Sequence, residues 1–187
     1  MNELLWYTSR ATGVVSLALL TAVLVLGALT AGRRAPHRVS PAVVMGLHRS
    51  LALGTTTFLL AHIATAVGET YVNIDLVSAF LPFTSGYEPL WVGFGTIAFD
   101  LVLALVVTSL LRHRLPERLW KAVHVLAFAL WPSAVVHGWA MGTANQPLLR
   151  GATLACAAIG LAALGWRVVS THHDRDRRRA VALQEWS

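Results

Sequence analysis

The chain is short of cysteine, of charge and of acidic residues, and each shortage excludes something. One cysteine, Cys156, stands within an apolar run. That rules out a disulfide framework and a C-x-x-C metal site. Charged residues make up 13% of the chain, about half of the roughly 25% usual for a soluble domain. Hydrophobic residues make up 56%, and mean hydropathy is +0.60. The composition is that of an integral membrane protein. Fifteen Lys and Arg against nine Asp and Glu give a net charge of +6. In a soluble chain this excess would suggest nucleic acid as a partner. Here the basic residues cluster between apolar runs, which is the positive-inside pattern. The partner they indicate is anionic membrane lipid, and nucleic acid is set aside.

Several apolar runs reach the ~20 residues needed to cross a bilayer. The pattern predicts an all-α bundle of five membrane helices, at about Leu4–Ala31, Ala42–Val67, Leu90–Leu111, Glu117–Met141 and Leu148–Ser170. The first is expected to be a retained helix. Its apolar stretch, Ala11 to Ala31, exceeds the ~7–15 residues of a signal-peptide core, and its basic residues, Arg33, Arg34 and Arg38, follow it. Pro41, Pro89, Pro116 and Pro147 stand at helix mouths, where a missing N–H does no harm. Pro132 lies inside the fourth helix and is expected to kink it.

Charge fixes the orientation. Arg33, Arg34 and Arg38, then Arg112, Arg114, Arg118 and Lys121, then the run Arg175–Arg179 belong in the cytoplasm. The segment Glu69–Pro89 holds Glu69, Asp75 and Glu88 with no Lys or Arg, and faces out. The N-terminus is therefore expected outside and the C-terminus inside, in the plasma membrane. With Tyr71, Phe80, Phe83 and Tyr87, the outer segment is expected to lie on the bundle as a lid. One membrane domain is expected over 1–170, with a charged cytoplasmic tail over 171–187.

Two histidine pairs stand in two of these helices. His48 and His62 are fourteen residues apart in the second; His124 and His137 are thirteen apart in the fourth. Ionisable side chains inside a membrane are costly and usually functional. The two helices run in the same direction, so His48 and His124 share an inner depth, and His62 and His137 an outer one. At ~1.5 Å per residue the spacings are about 21 and 19.5 Å, within a ~30 Å hydrocarbon core. Imidazole is an axial ligand of haem iron, and bis-histidine ligation favours electron transfer. Two stacked haems are expected, of b type, because no C-x-x-C-H attachment is present. Phase fits one helix better than the other. At ~100° per residue, fourteen steps return to within about 40° of one face, whereas thirteen miss by about 140°.

Haem propionates need cationic partners. Arg10, near the outer end of the first helix, is expected at the outer haem; Arg49 and Arg112 are the inner candidates. Gly54 and Thr55 on one side, and Phe128, Leu130 and Trp131 on the other, fall between the two depths. Asp100 is the one clear carboxylate within a span, a proton site or an arginine partner. His37, His113, His172 and His173 read as solvated. Gly93-Phe94-Gly95-Thr96-Ile97-Ala98 matches a dinucleotide fingerprint, but it opens a membrane helix rather than following a strand, and packing explains it better.

These residues resemble the ferric reductase-like transmembrane domain family. The likeness rests on Trp6-Tyr7-Thr8-Ser9-Arg10, on Leu47-His48-Arg49 with His62, and on Thr108-Ser109-Leu110-Leu111-Arg112. Trp120-Lys121-Ala122-Val123-His124 and His137-Gly138 complete it. The resemblance implies that His48 pairs with His124 and His62 with His137, with Arg10 by the outer haem. Some family members append a flavin and NADPH module; with about seventeen residues after the fifth helix, this chain is expected to hold none. The electron donor is then expected to be a separate flavoprotein reductase, carrying FMN or FAD, or a membrane quinol. Small members of this style imply an extracytoplasmic FMN-binding protein as acceptor; ferric iron and oxygen are the others.

The expected function is therefore a dihaem b-type cytochrome carrying electrons outward across the plasma membrane. Three rivals stand beside it: a single-haem membrane subunit of a two-component reductase, a non-redox metal permease with histidine relays, and a structural or assembly subunit.

Overall fold

A computed structural model describes residues 3–30, 40–70, 72, 74–142 and 146–184, with backbone alone for 171–184. Six α-helices run in order: α1 Glu3–Thr30, α2 Pro41–Gly68, α3 Pro89–Leu110, α4 Glu117–Val125, α5 Ala127–Ala140 and α6 Pro147–Gln184. Five segments are long and apolar enough to cross a membrane, with α4 and α5 together forming the fourth. Their bounds lie within a few residues of those expected. The helix of the fifth span continues beyond Ser170 into the charged tail. Arg33, Arg34, His37, Arg38 and Tyr71 lie outside the described residues, as do the side chains of His172, His173 and Arg175–Arg179.

Prolines open the helices as expected. Pro41 and Pro89 occupy first-turn positions, and Ser40 caps α2 by accepting from the Ala42 N–H. The break in the fourth span does not fall at its inner proline. Pro132 lies within α5, and the helix is interrupted at Leu126, between α4 and α5. There the bonds tighten to i→i−3, Leu126 N–H to the Val123 carbonyl and Ala129 N–H to the Leu126 carbonyl, both at 2.9 Å. Proline withdraws the donor that would bond the residue four before it and crowds that carbonyl. The preceding turn takes up the distortion. A tight turn advances about 120° per residue instead of about 100°, so it adds rotation in the sense the thirteen-residue spacing lacks.

α1 packs along α2 and also meets α5 and α6, while α3 packs on α5. Polar side chains point inward. Ser9, Ser16, Thr21, Thr55, Thr96 and Thr153 are buried, and the Ser16 hydroxyl donates to the Thr55 carbonyl across α1 and α2. Leu53, Leu60, Leu103, Leu154 and Leu161 are exposed, as lipid-facing positions should be. The segment after α2 folds back over the bundle. Its 3₁₀ turn, Val77–Ala79, buries Ser78, whose carbonyl accepts from Thr96 on α3 at 2.6 Å. Phe80 packs edge-on to Phe99, and Phe83 to Phe94. The expected lid is present.

Candidate functional site

All four intramembrane histidines converge in two pairs. The ring centroids of His48 on α2 and His124 on α4 lie 6.4 Å apart. Those of His62 on α2 and His137 on α5 lie 6.1 Å apart. The first histidine of each span meets the first of the other, and the second meets the second. The helices therefore run parallel, as the loop charges require.

The spacing discriminates between chemistries. Two imidazoles sharing a hydrogen bond of about 2.9 Å would hold their centroids about 5 Å apart. Two imidazoles on opposite sides of one metal, at about 2.0–2.1 Å per bond with ring centres about 1.1 Å behind the nitrogens, would stand about 6.2 Å apart. Both pairs match the second figure. Among the described residues no three His, Cys, Asp or Glu side chains are grouped to hold a bare metal ion. A pair of imidazoles suits haem, whose porphyrin fills the other four positions on iron.

The outer pair is oriented by backbone. Nδ1 of His62 lies 2.7 Å from the Ser9 carbonyl, and Nδ1 of His137 lies 2.9 Å from the Trp91 carbonyl. A carbonyl only accepts, so each Nδ1 carries the proton and each Nε2 keeps its lone pair for a ligand. The inner pair is held differently. His124 stacks on Trp120 at 4.8 Å, and the Arg112 guanidinium lies 4.7 Å above the same indole. Neither His48 nor His124 makes a hydrogen bond of full geometry through Nδ1.

A cavity of about 220 Å³ opens beside the outer pair. Leu20, Leu59, Val102 and Leu130 make its deep wall apolar; Arg10, Glu69 and Tyr87 line its outer end. Arg10 donates to Gln146 Oε1 at 3.1 Å and to the Met141 carbonyl at 3.4 Å, and stacks on Trp6. It thus stands where an outer anion would need it. Arg112 adjoins the inner pair through Trp120, whereas Arg49 is exposed. Thr55 and Leu130 line the cavity as their depth suggested. Trp131 instead turns away, donating to Thr21 Oγ1 at 3.1 Å and packing where Gly160 leaves room. Phe128 is 46% exposed, so it fills no gap between the pairs. Asp100 is partly buried on α3 and is not in the cavity wall.

Sequence reasoning missed Gly13 and Gly95. A Cβ on Gly13 would lie 2.9 Å from His62 Nδ1, and one on Gly95 would lie 2.7 Å from His137 Nδ1. Each glycine lies four residues after the carbonyl that binds the ring, a relation visible only once the ring is placed.

The family model for the ferric reductase like transmembrane component matches residues 12–135. The chain belongs to this family. The matched span contains His48, His62 and His124; Arg10 and His137 fall just beyond its two ends. Membership makes the protein a multi-pass membrane redox component. No curated protein and no solved structure matches the chain.

Proposed function

We propose that this family member is a dihaem b-type cytochrome of the plasma membrane. It carries electrons from a cytoplasmic-side flavoprotein or quinol to an extracytoplasmic acceptor. The observation that carries the reading is the paired spacing, 6.4 and 6.1 Å, of four histidines on two parallel helices. When bound, haem supplies a reversible one-electron Fe(III)/Fe(II) couple. The chain supplies the rest. His48 and His124 would hold the inner group, and His62 and His137 the outer. The Ser9 and Trp91 carbonyls keep the outer Nδ1 protonated, leaving Nε2 free to ligate. Arg10 offers positive charge to an outer propionate, and Arg112 to an inner one. From the lid, Glu69, Val72, Ile74, Ser78, Ala79 and Tyr87 line the cavity.

A single-haem subunit is the second reading. It draws on the cavity, whose wall includes His62 and His137 but neither His48 nor His124. Pyridine haemochrome on the purified protein, made with ample haem supply, separates the two readings. Two equivalents per chain and sharp low-spin reduced bands are expected. One equivalent selects the second reading, and a colourless protein rejects both in favour of a permease or assembly subunit.

A further inference from the structure

The two outer imidazoles rest on α1 and α3 in the same way, although those helices share no sequence pattern beyond the contact itself. On α1 the Ser9 carbonyl accepts from His62 and Gly13 faces the ring. On α3 the Trp91 carbonyl accepts from His137 and Gly95 faces the ring. The spacing has a physical cause. Within an α-helix the carbonyl of residue i already bonds the N–H of residue i+4. Its second lone pair is available to an outside donor, but a side chain at i+4 overhangs it. Glycine at i+4 uncovers that lone pair and lets a ring lie against the backbone.

At the inner level the same spacing recurs once and more loosely, at Val23 and Gly27 beside His48, and not at His124. A Cβ on Gly27 would meet His48 Cε1 at 3.7 Å, an ordinary contact. The Val23 carbonyl faces His48 without completing a good hydrogen bond, and His124 Nδ1 has no partner among the described residues.

We propose that Ser9–Gly13 and Trp91–Gly95 are paired ring seats that position both outer imidazoles and set the donor strength of the outer site. The proposal rests on the haem reading above. An Nδ1–H bonded to a carbonyl makes the imidazole a more basic ligand. A stronger donor favours Fe(III) and holds the outer potential down. Gly13, Gly95 and the two carbonyls are positioning groups, acting through the histidines.

The test is redox titration and low-temperature EPR of Gly13→Ala and Gly95→Ala, with Gly151→Ala, which meets nothing within 4 Å, as control. Each seat variant should raise the midpoint of one haem component and shift its low-spin g values, leaving the other component as in the wild type. Two unchanged components, or equal shifts in both, overturn the proposal. A wild type that binds no haem defeats the parent reading instead. Should the variants misfold, ring N–H exchange in ¹⁵N-histidine spectra of haem-free wild type decides. Slow exchange at His62 and His137 supports the seats; exchange as fast as at exposed His113 overturns them.

Discussion

The indole of Trp120 lies 4.8 Å from the ring of His124, one helical turn further along, with 26° between their planes. His124 has no carbonyl seat, so this stack fixes the plane of its imidazole. Trp120→Leu should therefore disturb the inner level only, altering the g values of one haem component and weakening its retention in detergent. Arg112→Gln should have the same sense and smaller size, because the guanidinium reaches the ring only through the indole. EPR with haem quantification reads both.

Ligand loss should follow the pairs. His62→Ala and His137→Ala should each remove the same equivalent of haem, and the double variant no more than either. His48→Ala and His124→Ala should remove the other. Pyridine haemochrome measures this, and a double variant losing both equivalents would contradict the pairing.

Arg10→Leu should lower the midpoint of the outer component, since a nearby cation favours the reduced, less positive iron. It should also destabilise the bundle by about 1.5–3 kcal/mol, the usual worth of a hydrogen bond to a charged group, because Arg10 ties α1 to Met141 and Gln146. Arg10→Lys should retain more of the potential than of the stability, as an ammonium keeps the charge and loses the fork. Potentiometry and thermal melts in detergent separate the two effects.

Thr21→Val should leave the Trp131 indole N–H buried without its acceptor. The expected cost is about 1–3 kcal/mol, seen as a lower melting temperature with both haem potentials unchanged. Trp131 joins α5 to α1 and stands outside the cavity wall, so a shifted potential would show that it touches the redox site.

The lid should respond to acid. Asp75 accepts from the Ser78 hydroxyl and backbone N–H, and these bonds hold its carboxyl below the usual range. A depressed folded-state pKa gives stability that is complete above the ordinary carboxylate value and is lost as pH falls through the lowered one. The 3₁₀ turn should stay closed from neutrality to mild acidity and loosen only in stronger acid. Asp75→Asn should loosen it at every pH. Hydrogen exchange over residues 74–88 against pH reads the effect.

Much of the architecture was legible because membrane helices are governed by length and by proline, and both are local. The spans, their proline openings, the covering outer segment and the two histidine pairs all follow from spacing. What escaped depends on rotation and close approach. Pro132 announced a distortion but not that the preceding turn would absorb it at Leu126. Trp131 and Phe128 lie at the depth expected of them, yet face away from the pairs, because depth along a helix does not fix azimuth. Gly95 looked like an ordinary packing residue and Gly13 drew no attention, since nothing in the sequence says that a ring from another helix lands on them.

The interruption at Leu126 has a mechanical meaning. His48 and His62 ride on one unbroken rod, whereas His124 and His137 belong to two rods joined by a tight turn. A push on the short amphipathic piece carrying His124 can tilt that imidazole while its counterpart beyond the joint stays still. A push on the inner end of α2, by contrast, should reach both levels, because its two histidines share one rod.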